Sequence, residues 1–152
     1  MPDRLPQKLS EVLELFDSMT SPEERVPLLL DYAEQFREVP PAISMRPFPH
    51  DHLVKFCESE AYVWVIPHDG RLTLHFAIEN PSGVSAKALA TILEKTLSGA
   101  TPEEFVGIPD DIVSRVFRQN ISMGKGMGLI SIVQTVKALA SHYAKSPVSQ
   151  VA

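Results

Sequence analysis

Apolar positions recur three and four residues apart near the start of the chain. In "KLSEVLELFDSM", Leu9, Val12, Leu13, Phe16 and Met19 form one stripe, which predicts an amphipathic helix. A second helix is announced by "TSPEERVPLLLDYAEQF". Ser21 caps it, Pro22 takes the first helical position and Glu24 closes a capping box. The spacing assigns Val26, Leu29, Leu30, Ala33 and Phe36 to its buried side, with Pro27 in or just past the first turn.

The period then changes. "VPPAISMRPFPHDH" carries Pro40, Pro41, Pro47 and Pro49, which deny donors and fix φ, so it reads as an extended connection. "EAYVWVI" is rich in β-branched and aromatic residues and reads as a strand. "PHDG" is a turn, and "RLTLHFAIE" alternates, with Leu72, Leu74, Phe76 and Ile78 pointing one way. Together they predict an antiparallel hairpin with one wet face, to which His52 to Phe56 add a short third strand. Tyr62 and Trp64 share a strand face, and packing is the expected role of both.

Helical spacing returns in "SAKALATILEKTLSG", with Leu89, Ile92, Leu93 and Leu97 inward and Gly99 as the stop. Thr101, Pro102 and Glu104 repeat the capping device, and a short helix follows near Asp110 to Phe117. A long helix is predicted from about Met127 to Tyr143, burying Leu129, Ile132, Val133, Val136 and Ala140. Helices, strands, then helices again predict an α+β fold, a small antiparallel sheet with helices packed on one face.

Composition narrows the class. The 152 residues suit one domain spanning 1–152, and 44% apolar with 22% charged residues is ordinary for a globular protein. A formal net charge of −5 argues against non-specific nucleic-acid binding, which needs clustered cations. No apolar run is long enough to span a bilayer, and "MPDRLPQKLSEVLELF" has no signal-peptide pattern, so no membrane partner and a cytoplasmic setting are expected. One cysteine forms no internal disulfide, which agrees with a reducing compartment.

That cysteine, Cys57, is the first candidate for chemistry. A free cysteine is often a small core filler. Here Lys55, Glu58, Ser59 and Glu60 flank it, and polar neighbours suit a reachable loop just before a strand. Without a CxxC, dithiol exchange within the chain is excluded, but a lone thiol can still hold one sulfur atom as a persulfide. His50, Asp51 and His52 match no structural zinc spacing, so no metal is expected. Five histidines also make a Cys–His dyad formally available, with no spacing to select one. "GKGMG", Gly124 to Gly128, completes neither a phosphate loop nor a dinucleotide fingerprint. It reads as a flexible approach to the last helix, whose N–H groups and Lys125 attract anions.

Taken in order, "VKFCESEAYVWV", the hairpin, "SAKALATILEKTLSGATPEEF" and "ISMGKGMGLISIVQTVKALA" resemble the SufE family of sulfur-acceptor proteins over nearly the whole chain. The resemblance implies a fold akin to cluster-scaffold proteins such as those of the IscU type. It implies that Cys57 accepts a persulfide sulfur from a pyridoxal-phosphate-dependent cysteine desulfurase, stimulates that enzyme and relays sulfur towards iron–sulfur cluster scaffolds. It makes the chain a carrier and activator rather than an enzyme. The chain itself then binds no cofactor, and the pyridoxal phosphate stays on the partner. Glu58, Ser59 and Lys125 are the candidate partner contacts. Departures from the family pattern are Phe56 where glycine usually precedes the cysteine, Ser82 where an acidic residue is common, Ala88 in place of a glycine, and Lys125 in place of an arginine. The alternative is an adaptor of the same fold that docks on a metabolic enzyme with its cysteine merely packed. A cluster scaffold is a third reading, and one cysteine supplies too few ligands for it.

Overall fold

A computed structural model describes residues 5–57 and 59–144. Helices α1 (Gln7–Asp17) and α2 (Pro22–Glu34) lead into a hairpin of β1 (Ala61–His68) and β2 (Arg71–Ile78). Helices α3 (Val84–Leu97), α4 (Pro102–Val106), α5 (Ile112–Phe117) and α6 (Met123–Ala144) complete the order. Two short 3₁₀ turns, His50–His52 and Arg118–Asn120, fill connections. The α+β fold read from the sequence is the fold observed. No described helix is long and apolar enough to cross a membrane.

The hairpin turns at Asp69 and Gly70, with φ of 53° and 77°. Two successive residues in the left-handed region make the tight turn that matches strand twist, and Asp-Gly is the sequence that tolerates it. Strand pairing therefore extends through Pro67 and His68, with His68 opposite Arg71 and Val63 opposite Phe76.

Two strands alone are marginal, and here both outer edges are covered. The Val54 N–H donates to the Ala61 carbonyl at 2.8 Å, and a ring nitrogen of His52 bonds the Val63 carbonyl at 2.9 Å. Across the sheet, the Val39 N–H donates to Phe76 O at 2.8 Å, and Leu72 N–H to Ala100 O at 2.9 Å. The predicted third strand at 52–56 is thus reduced to one bridge, Leu53 to Tyr62. The 3₁₀ turn precedes it, and the chain turns at Lys55 and Phe56 immediately after it.

One sheet face, with Ala61, Val63, Leu72, Leu74, Phe76 and Ile78, meets α3 and α6 in the main core. Helix α3 is buried nearly all round, with Leu89, Ile92, Leu93 and Leu97 fully enclosed. Each such side chain contributes about 1.5–3 kcal/mol by leaving water. The opposite face is not wet along its length, as alternation had predicted. Tyr62, Trp64 and Ala77 lie under Val39 and Phe48 from the proline-rich connection, with the Phe48 ring 5.4 Å from Trp64. That connection is not extended throughout, as its prolines had suggested: it turns after Pro40, whose carbonyl accepts from Ile43 N–H at 2.9 Å, and again in the His50–His52 turn.

Helix α2 has the predicted capping box, but its inward face is rotated. Leu29 is buried, and Ala33 and Phe36 pack against the core, while Val26 and Leu30 are exposed. Arg25 takes the inward place, 1% exposed. Its guanidinium donates to the carbonyls of Phe16, Met19, Arg115 and Val116 at 2.6–2.9 Å. A side chain with four bonds to other segments sets the helix rotation more firmly than two leucine-sized contacts. Pro27 falls in the second turn, inside the helix.

Candidate functional site

Cys57 is half-buried on the loop between the 3₁₀ turn and β1. The loop is fastened on each side of the thiol. The Ser131 hydroxyl of α6 donates to the Lys55 carbonyl at 2.6 Å, and the Glu60 N–H donates to the Cys57 carbonyl at 3.1 Å. Asn80 N–H donates to Ser59 O at 3.2 Å, tying the loop to the turn after β2. Phe56 and Glu60 bracket the segment with φ of 60° and 54°. Left-handed backbone at non-glycine residues costs about 1–2 kcal/mol each. The glycine that the SufE-like pattern places before the cysteine would carry this conformation without strain; Phe56 carries it with strain.

The thiol faces a cleft of about 210 Å³. Ser59 lines its near side, and Asn80, Ser82 and Ser85 line the side formed by the turn and the start of α3. Gly124, Lys125 and Gly128 of α6 close the third side. Cys57, Ser59 and Lys125, named from the sequence, are thus brought to one place. Glu58 lies outside the described residues. Hydroxyls, an amide and one ammonium line the cleft beside the apolar surface of Leu129 and the glycines, so its surface is mixed, with polar groups available to a small anionic group.

The glycine run is not a flexible approach to α6, as the sequence suggested, but part of its first turns. Ser122 caps the helix, accepting from Lys125 N–H at 3.3 Å. The glycines allow close approach instead: a β-carbon on Gly128 would lie 3.4 Å from the Phe56 carbonyl oxygen. A β-carbon on Gly83 would meet Ile78 Cγ2 at 2.9 Å and Ser59 Cβ at 3.2 Å. Sequence reasoning missed Gly83, Ser85 and Gly128 as parts of the site. For Gly83 and Ser85 the signal was "ENPSG", where Ser82 N–H donates to Asn80 Oδ1 at 2.9 Å, and for Gly128 it was the "GKGMG" run, read as a helix approach rather than as a contact with the loop.

His52 is taken up by packing. Its ring stacks 4.9 Å from Trp64 while bonding Val63 O. No cluster of three His, Cys, Asp or Glu side chains that could hold a metal ion occurs among the described residues.

Fold and site together define an α+β domain that presents one thiol at the rim of a small cleft, beside the start of its last helix. A family model described as "SufE: Fe-S metabolism associated domain" matches residues 10–140. The chain belongs to the SufE family, and with it to iron–sulfur metabolism. It is 27% identical over 141 residues to SufE-like protein 1, chloroplastic/mitochondrial, of Arabidopsis thaliana. The match covers 92% of this chain but spans only 36% of that relative's length. The solution structure of a hypothetical protein from Thermus thermophilus superposes with a TM-score of 0.73 at 24% identity, covering 94% of this chain and all of that one. That likeness concerns the fold.

Proposed function

We propose that the chain accepts a sulfur atom on Cys57 from a pyridoxal-phosphate-dependent cysteine desulfurase and relays it to iron–sulfur cluster assembly. The observation that carries this reading is the position of Cys57, half-buried at a cleft that Ser59, Ser85 and Lys125 share, rather than sealed in the core. The Cys57 thiolate attacks the outer sulfur of the desulfurase persulfide. A new S–S bond forms on Cys57, the partner's S–S bond breaks, and its electron pair leaves on the partner's thiolate. No oxidant or reductant is consumed. Removing the persulfide frees the partner's cysteine for the next turnover, which is how a carrier stimulates the enzyme.

The cleft has a role in this reading. Lys125 and the hydroxyls of Ser59 and Ser85 offer charge and donors to a persulfide anion, and the walls limit its contact with solvent. The reading also places the chain in a reducing setting such as the cytoplasm, where a lone thiol stays free. Pyridoxal phosphate belongs to the partner.

Incubation with a cysteine desulfurase and cysteine, followed by intact mass measurement, tests the proposal. Wild type gains the mass of sulfur and Cys57→Ala does not. Absence of the gain on wild type, or equal gain on the variant, overturns it and leaves the adaptor reading.

A further inference from the structure

We propose that Phe56 is the aromatic anchor by which the chain docks on the desulfurase, an inference that rests on the sulfur relay above. Its side chain is 88% exposed, more than any other large apolar residue among those described. It sits on left-handed backbone, φ 60°. Both features burden the free protein, because exposed aromatic surface and a bulky residue at positive φ are each unfavourable. Glycine would remove both. Within the described chain, the ring gains little that offsets them.

The fastening of the loop explains why the ring stays outside. The Val54 N–H is bonded to Ala61, the Lys55 carbonyl to Ser131, and the Cys57 carbonyl to Glu60. The Phe56 carbonyl lies against Gly128 of α6. With the backbone held on both sides, the side chain projects from the tip next to the thiol.

Geometry then supplies the occupant. Sulfur transfer brings two sulfur atoms to bonding distance, about 2 Å. Adjacent Cα atoms are about 3.8 Å apart. A partner surface that reaches the Cys57 sulfur therefore passes within side-chain reach of Phe56. Aromatic side chains buried at the centre of an interface are where binding energy concentrates. The anchor fits an apolar hollow on the desulfurase near the mouth leading to its persulfide.

The test compares wild type, Phe56→Gly and Phe56→Leu in titrations of a cysteine desulfurase, reading sulfide release and sulfur mass on Cys57. Phe56→Gly should melt at or above wild type, because strain and exposed ring are both removed. Its half-saturating concentration should rise about 10- to 100-fold, with the plateau falling much less. Phe56→Leu should recover part of the loss. An unchanged half-saturating concentration for Phe56→Gly, on a wild type that loads sulfur, sinks the anchor and leaves the relay standing. So does a lowered melting temperature, which would make the ring part of the fold. A wild type that gains no sulfur from the enzyme removes the relay and the anchor together.

Discussion

A β-carbon placed on Gly128 would stand 3.4 Å from the Cα of Cys57 and 3.7 Å from its Sγ. The Cys57 loop and the last helix touch without a side chain between them. Alanine at 128 fits at ordinary contact and keeps sulfur loading. Valine or leucine overpacks the contact, at about 1–3 kcal/mol, and pushes the loop outward. The expected result for Gly128→Val is a lower melting temperature with faster alkylation of Cys57 and slower sulfur loading. Gly124→Ala is the control, since nothing lies within 4 Å of its β-carbon; better helix propensity should stabilise it by up to about 1 kcal/mol.

Gly83→Ala should be more damaging than Gly128→Ala. Its β-carbon would stand 2.9 Å from Ile78 Cγ2 and 3.1 Å from the Asn80 carbonyl oxygen. The second is backbone and cannot swing away, so the turn that holds Ser59 must shift. Urea unfolding should show a loss of about 1–3 kcal/mol, with reduced sulfur loading because the cleft is reshaped. A midpoint equal to wild type would contradict the packing described.

Arg25 joins α1, the start of α2 and the end of α5 through four carbonyl oxygens. Arg25→Met leaves those carbonyls without their donors, and leaving a buried polar group unsatisfied typically costs about 1–3 kcal/mol. Arg25→Lys should rescue only part, because one ammonium cannot replace the planar fork. Denaturant midpoints order the three proteins as wild type, lysine, methionine.

Stability should fall on the acid side in two stages. Burial holds the His75 imidazole below its ordinary value of 6.5. A lowered folded pKa means that the unfolded chain binds the proton first. Stability is therefore full above about pH 6.5 and is lost as pH falls towards the folded value. His75→Gln should flatten that limb of a melting-temperature profile. Further down, the Arg115 hydrogen bond, 2.7 Å from guanidinium to carboxylate, holds Asp17 below its ordinary 3.8. Its contribution is present above that value and disappears as Asp17 is protonated below it. Asp17→Asn should blunt the second fall and leave the first.

Much of the architecture was legible because it depends on neighbours in sequence. The capping boxes at Ser21 and Thr101, the Asp-Gly hairpin and the inward faces of α3 and α6 need only local spacing. The α2 face was misjudged because the position buried by tertiary bonds is an arginine, which an apolar count passes over. The wet face of the hairpin failed for a related reason. Whether Trp64 meets water depends on where a proline-rich segment, itself without a period, is laid down.

At the site, residue types marked Cys57, Ser59 and Lys125, since a lone thiol among polar neighbours and a cation beside glycines are features of the string itself. Their meeting at one cleft, the contact of Gly128 with the loop and the outward ring of Phe56 were decided only in three dimensions. Local order follows from short-range rules of backbone and period. The cleft arises from contacts between distant segments, such as Ser131 with Lys55, 76 residues apart, and no local pattern encodes such a meeting.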